Sequence, residues 1–404
     1  MTWKPDEIRR LFPAFVNGGA GVYLDNAATT QVPDCVLDAV GGFERGGRAN
    51  IRRGLYPLSL QATEAFEEAR AAVGRYLGAA DPREIVFTSG ATAAINLVAH
   101  AFGDTLGPGD EVAISEAEHH SNIVPWQMLR ERRGVGLKIL PVDARGRPDP
   151  DRLEAAITTR CRLIAVTHCS NVTGAVTDVA PIAARARQVG ALLLLDGAQM
   201  AAHGPLDAAA LGADFYVISG HKMFGPTGVG ALWAGRDILQ RMPPFLGGGE
   251  MIRAVTFEHT DYAPPPQRFE AGTPPVAQAI GLGAAATWLM DQDWDAAGRH
   301  EARLTRGLLE GVRDLEDARV IGPLENENRI GVVSIAVDGV HSHDICHILG
   351  ERGIAVRGGH HCAQPLMERL GLEATTRASL ALYTTDSETA AFLDALGDAI
   401  RILR

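Results

Sequence analysis

The chain has 404 residues, 46% of them hydrophobic and 22% charged, with a formal net charge of −11. That size and apolar content suit one large or two modest globular domains with a substantial core. The acidic balance argues against nucleic acid or an anionic membrane as the main partner. No apolar run approaches the roughly 20 residues of a membrane span. The start, MTWKPDEIRRLFPAFV, mixes acids among its bases and does not read as a signal peptide.

Ile8, Leu11, Phe12 and Phe15 recur at helical spacing, so residues 1–20 read as a short amphipathic arm, expected to pack with the C-terminal part of the chain. From about residue 80 to 235, short apolar runs alternate with longer amphipathic ones. Expected strands are Ile85–Ser89, Glu111–Ser115, Leu137–Val142, Leu163–Cys169, Leu192–Asp196, Phe215–Ser219 and Gly230–Ala234. Expected helices are Ala91–Phe102, Ser121–Arg133, Asp151–Thr158 and Val179–Gly190. The alternation predicts an α/β fold with a mostly parallel sheet covered by helices. Residues 240–275, rich in Gly and Pro, read as loops bordering a site. A helix near Val276–Met290 leads to a smaller α+β unit. Its elements are a helix Ala296–Leu315, a strand Gly331–Val337, a helix Ser342–Arg352, strands Ile354–Arg357 and Arg377–Leu382, and a last helix Ser387–Leu403. The division is therefore an arm (1–20), a large domain (21–275) and a small domain (276–404).

Ligands in such folds sit at the carboxyl ends of strands, and the polar motifs fall there. Lys222, in ISGHKMFGPTGVG, follows the apolar run Phe215–Ser219 and lies between glycines. Desolvation disfavours a charged lysine and frees its amine as a nucleophile. The chemistry that fits is a Schiff base to pyridoxal phosphate (PLP), which also needs a carboxylate for its ring nitrogen and a phosphate cradle. Asp196 closes LLLLDGAQ and suits the ring nitrogen; Gln199 suits the phenolic oxygen. In TSGATAAIN a small-residue turn opens a helix, whose N-terminus favours an anion. Ala91, through its backbone, and Thr92 are therefore assigned to the phosphate, with Ser219 and His221 as further donors. His119, in ISEAEHH, is placed to stack on the ring and to move protons near pH 7. Arg377, in RASLALY, suits a bidentate clamp on a substrate carboxylate, and Asn171, in HCSNVTGA, suits orientation of the substrate or ring hydroxyl.

Five cysteines scattered along the chain suit a reduced, cytoplasmic protein rather than a disulfide framework. Cys35, Cys161, Cys169 and Cys346 read as inert core residues. Cys362 differs, lying in RGGHHCAQP beside His360, His361 and Arg357, neighbours that favour a thiolate. The rival reading is metal ligation by the His-His-Cys cluster, which lacks a clear remote ligand set and is not adopted.

Taken together, YLDNAAT, EHHSNIVPWQ, SNVTGA, DGAQ, SGHKMFGPTG, RFEAGTP and RGGHHCAQP resemble the group II cysteine desulfurases and selenocysteine lyases of the SufS-like type. These belong to the class V aminotransferase group of fold-type I PLP enzymes. The resemblance runs almost end to end. It implies a large mostly parallel-sheet domain with a smaller C-terminal domain, Lys222 as the PLP lysine, and Asn171, Arg357 and Arg377 as substrate holders. It implies that Thr273 reaches the phosphate of a neighbouring subunit in a homodimer. L-cysteine, or L-selenocysteine, is the implied substrate. Lys222 would remove its Cα proton, and Cys362 would take its sulfur as a persulfide while L-alanine leaves. The implied sulfur acceptor is a SufE- or SufU-like protein, for iron–sulfur cluster assembly. Arg52 stands where a histidine is common, and Ala93 where a glutamate is frequent, both in segments implied to lie near the subunit interface.

Overall fold

The computed structural model describes residues 3–404. At its centre is a seven-stranded sheet. The strands are β1 Ile85–Thr88, β2 Glu111–Ser115, β3 Gly136–Leu140, β4 Cys161–Thr167, β5 Leu192–Asp196, β6 Phe215–Ser219 and β7 Gly230–Ala234. Their spatial order is β1-β7-β6-β5-β4-β2-β3. Strands β6, β5, β4, β2 and β3 run parallel, whereas β7 is antiparallel to both β1 and β6.

Continuous apolar runs make these strands because both faces of the sheet are covered. In β5, Leu193 and Leu195 enter one apolar cluster and Leu194 enters the other. In β4, Ile164 and Val166 face the first cluster while Leu163 and Ala165 face the second. Each fully buried leucine contributes about 1.5–3 kcal/mol. The helices Val124–Arg133 and Val179–Val189 each stop at a glycine in left-handed conformation, Gly134 and Gly190, as glycine's freedom at positive φ allows.

A second sheet of four antiparallel strands carries the end of the chain. Its strands are β8 Ala318–Ile321, β9 Val332–Val337, β10 Arg357–Gly359 and β11 Thr375–Ser379, in the order β8-β9-β11-β10. Helices Trp294–Arg313, Ser342–Glu351 and Asp386–Leu403 supply its separate apolar core. The helix Val276–Met290 packs along Asp34–Gly42 and Pro57–Tyr76. A side chain at Gly283 would overlap the backbone of Ala69, so glycine permits that close approach.

The arm is bonded to both units. Trp3 Nε1 donates to the Leu382 carbonyl at 2.8 Å, and Arg9 pairs with Glu388 at 2.8 Å. Phe12 is fully buried among Phe224, Trp288 and Tyr383. Val22–Tyr23 then pairs in parallel with Ile354–Ala355.

Four local expectations are corrected. Residues 240–275 are not loop throughout, because Ile252–Val255 and Thr260–Tyr262 form an antiparallel hairpin with Phe257 exposed beyond them. Arg377 does not open its strand, because the β-branched pair Thr375–Thr376 extends β11 ahead of it. The expected strand Ile354–Arg357 is split, with Ile354–Ala355 bonded to the arm side and Arg357 starting β10. Cys35 is exposed on Asp34–Gly42 rather than in a core. Among the described residues, no helix is long and apolar enough to cross a membrane.

Candidate active site

The carboxyl ends of β2, β4, β5 and β6 open on one side of the sheet, and a cavity of about 480 Å³ lies there. Twelve of the thirteen residues expected from sequence line it, drawn from positions 91 to 377. The exception is Thr273, which is exposed and lines a separate surface groove with Phe43 and Asn50.

Lys222 sits in the 3-10 turn that follows β6. The turn is clamped from the YLDNAAT segment: Thr30 N and Thr29 Oγ1 donate to the His221 carbonyl at 2.9 and 3.0 Å, and Phe224 N donates to Thr30 Oγ1 at 2.7 Å. Desolvation pushes the Lys222 amine below its ordinary range, against the pull of Asp196 in the other direction. Asp196 is buried at the end of β5, and burial raises its carboxyl. Ala198 N donates to its Oδ1 at 3.0 Å, and Gln199 Nε2 is held by the Ala27 carbonyl at 2.8 Å.

The helix Ala91–Ala101 starts at Gly90, whose φ is 147° and which has no side chain of its own to cap the first turn. Ala91 N donates to Ser219 Oγ at 2.9 Å. That hydroxyl keeps its own hydrogen for the cavity, beside Thr92 and His221. The N-terminus of an eleven-residue helix next to hydroxyls is a donor set for an anion.

His119 follows β2. Its Nδ1 accepts from Ser121 N at 3.1 Å and lies 2.8 Å from Ser121 Oγ, so the remaining ring hydrogen sits on Nε2. Burial, with Lys222 next, lowers His119 to about 4. The imidazole is therefore neutral at pH 7, the form suited to stacking on an aromatic ring.

The small unit closes the cavity. Cys362 is exposed on the loop after β10, and both it and His361 have positive φ, 56° and 52°. The loop is pinned on three sides. Asn171 Nδ2 donates to the His361 carbonyl at 2.8 Å, His120 N donates to the Cys362 carbonyl at 2.7 Å, and Cys362 N donates to His360 Nδ1 at 3.2 Å. Asn171 thus holds the cysteine loop. Arg377 is buried, donates to the Asn171 carbonyl at 2.9 Å, and shares Asp25 with the exposed Arg357. Desolvation lowers the Arg377 guanidinium to about 10.

Asp25, Thr29, Ser121 and Thr167 also belong here and escape sequence reasoning. Asp25 and Thr29 fall within the quoted YLDNAAT, and Thr167 ends β4 as Asp196 ends β5. The strand expected from sequence runs to Cys169, so Thr167 becomes a strand end only in the structure, where β4 stops two residues earlier. Among the described residues, no group of three or more His, Cys, Asp or Glu is arranged to hold a metal ion.

The aminotransferase class-V model matches residues 22–392. The chain belongs to the class-V aminotransferase family. A probable cysteine desulfurase of Pseudomonas putida is 44% identical over 404 residues, covering 100% of both chains. A cysteine desulfurase of Haloferax volcanii is 42% identical over 95% of this chain and 90% of its own. Among solved structures, the cysteine desulfurase CsdA of Escherichia coli superposes with a TM-score of 0.93 at 38% identity, covering 100% of both chains. The apo cysteine desulfurase of Thermococcus onnurineus superposes with a TM-score of 0.94 at 35% identity over the same coverage. The family's cofactor is PLP, and the residues fit it. A buried carboxylate, a lysine pushed toward neutrality and a helix N-terminus line one cavity.

Proposed function

We propose that this chain is a PLP-dependent cysteine desulfurase that turns L-cysteine into L-alanine and passes the sulfur on as a persulfide of Cys362. One observation carries the reading: a loop of the small unit brings an exposed cysteine into the cavity that holds the lysine. An aminotransferase needs no such thiol.

Bound PLP supplies an electron sink for charge developing at the substrate Cα. The protein's groups do the rest. Asp196 would keep the ring nitrogen protonated, Gln199 would serve the phenolic oxygen, and His119 would stack on the ring. The start of the helix Ala91–Ala101 with Thr92, Ser219 and His221 would hold the phosphate. Arg377 and Arg357 clamp the substrate carboxylate, releasing Asp25 as they do. Lys222 Nζ, already depressed by burial, takes the Cα proton. The Cys362 thiolate then attacks the substrate sulfur. An S–S bond forms, and the Cβ–S bond breaks with its electron pair left on the three-carbon fragment; a proton taken up at Cβ and the Cα proton returned by Lys222 complete L-alanine.

Three finer points belong to the same reading. The enzyme works as a homodimer in which Thr273 completes the phosphate site of the neighbouring subunit; its exposure, away from its own chain's cavity, supports this. The persulfide passes to a SufE- or SufU-like acceptor for iron–sulfur cluster assembly, supported by the exposure of Cys362. The site of action is the cytoplasm, in keeping with five free cysteines.

Incubation with L-cysteine and a reducing thiol should yield alanine and sulfide in equal amounts. Cys362→Ser should abolish sulfide release while PLP stays bound, and full activity in that variant would sink the persulfide assignment. Repeating the assay with L-selenocysteine ranks the two substrates.

A further inference from the structure

Next to His119 the chain buries a carboxylate to which the reading above gives no task. Glu118 is fully inaccessible, and burial pushes it up to about 8. A group so expensive to enclose needs hydrogen-bond partners, and this one has three. Its Oε2 accepts from Asn122 Nδ2 at 2.6 Å, and its Oε1 accepts from Thr167 N at 2.9 Å and meets Ser115 Oγ.

Two of the donors around it, Asn122 Nδ2 and Thr167 N, cannot be turned away. Asn122 Oδ1 accepts from the buried Trp126 Nε1 at 2.9 Å, which fixes the NH2 end of the amide on Glu118. Ser115 Oγ accepts from Ala117 N at 3.1 Å and keeps a second lone pair, so its contact with Oε1 holds one hydrogen whether Ser115 or a protonated Glu118 supplies it. Glu118 therefore ties the end of β2, the end of β4 and the turn His120–Asn122 to one point. Of the residues lining the cavity, Thr167 ends β4, Ser121 lies in the turn, and His119 caps that turn directly after Glu118.

We propose that Glu118 is a positioning residue that fixes the His119 imidazole and the Thr167 wall of the cofactor cavity, and that it does so through its acceptor geometry. The inference rests on the reading that PLP occupies this cavity under His119. A glutamine has nearly the same shape but one acceptor fewer. Placed at Oε2, its NH2 faces the NH2 of Asn122; placed at Oε1, it faces Thr167 N. Either way one donor meets another in a closed space. Exchanging both groups, Glu118→Gln with Asn122→Asp, restores every pairing: the new amide donates to the new carboxylate, which still accepts from Trp126.

The test uses the holoenzyme. Visible circular dichroism of bound PLP reads the seating of the ring without turnover, and kcat and KM for L-cysteine are measured alongside. Glu118→Gln should lower the visible dichroism at least about twofold and kcat about tenfold, as misplacement by a fraction of an ångström does. The double exchange should bring both back to within about twofold of the parent. If Glu118→Gln leaves both signals within that range, or the folded double exchange recovers neither, the acceptor-geometry role is wrong. Should Glu118→Gln not fold, Ser115→Ala removes one partner without creating a clash. It should shift the dichroism in the same direction by a smaller factor, and an unchanged spectrum overturns the proposal. A parent that binds PLP but makes no alanine from L-cysteine contradicts the desulfurase reading and leaves the dichroism comparison intact.

Discussion

Glu270→Gln offers the sharpest quantitative test of how the cavity is supported. Glu270 is buried and accepts four hydrogen bonds on two oxygens. Arg70 Nη1 and Phe87 N reach Oε1 at 2.6 and 2.9 Å, while Arg70 Nη2 and Arg52 Nη2 reach Oε2 at 3.0 and 2.7 Å. Arg70 is itself buried, and its guanidinium Nη1 also donates to the Ile85 carbonyl at 2.8 Å. An amide in place of the carboxylate turns two of the four acceptor contacts into donor–donor contacts, whichever way it lies. It also removes the charge that compensates Arg70 and Arg52. Charged hydrogen bonds contribute about 1.5–3 kcal/mol each, and breaking a buried pair from one side costs about 3–5 kcal/mol. The expected loss is therefore about 3–5 kcal/mol of unfolding free energy, read by urea titration of the holoenzyme. PLP retention should fall too, because Phe87 leads directly into the Gly90–Ala91 turn. A variant that unfolds within about 0.5 kcal/mol of the parent would refute the reasoning.

Three further outcomes follow from other parts of the molecule. Phe12→Ala empties a fully buried aromatic site against Phe224 and Tyr383 and should cost about 3–5 kcal/mol; it should also loosen the Lys222 turn, measured as faster loss of PLP on dialysis. Gly197→Ala puts a methyl into the ring of buried Tyr216, one residue from Asp196; a shifted visible spectrum of bound PLP, with impaired stability, is expected, and an unchanged spectrum would contradict the contact. His119, His168 and His361 are lowered to about 4, 4 and 3, each chiefly by burial. Their folded pKa values lie below the unfolded one, so the unfolded chain binds protons first and these three groups withdraw stability as pH drops from about 6.5 toward 4, each with a slope of up to about 1.4 kcal/mol per pH unit. Glu118 and Asp196, raised by burial, act with the opposite sign, so the check is the imidazole titration of each histidine by NMR, and protonation of any of the three near pH 6.5 in the folded protein would contradict their burial.

The central sheet was legible because its strands are covered on both faces and read as uninterrupted apolar runs. The same rule that found Leu192–Asp196 placed Asp196 at a strand end, and hence in the cavity. Less legible was the region between residues 21 and 84, where no element is assigned from sequence although Pro57–Tyr76 is a helix. Half of its buried apolar side chains are alanine, Ala62, Ala69 and Ala72 beside Phe66, Val73 and Tyr76, and the same face buries Arg70, which weakens the periodic signal. Asp25 was missed because its meaning lies in Arg377, 352 positions away. The role of Glu118 depends on Thr167 N and on which way the Asn122 amide points, and neither is written in local spacing. Ser219 and Ala91 were both expected to serve an anion, and the structure shows that they also bond each other.

The pairing of Val22–Tyr23 with Ile354–Ala355 has a consequence for how the protein is made. During synthesis the N-terminal segment emerges long before its strand partner exists, by roughly tens of seconds at about 5–20 residues per second. Until then the aromatic cluster of Phe12 and Phe224 lacks Tyr383. A ribosome-bound chain stopped short of residue 355 should therefore expose Phe12 and Trp3 and attract chaperones. The finished chain covers Phe12 with Tyr383 and half-buries Trp3 against Leu382, so the N-terminal arm finds its partners only after the C-terminal stretch that follows Cys362 has been made.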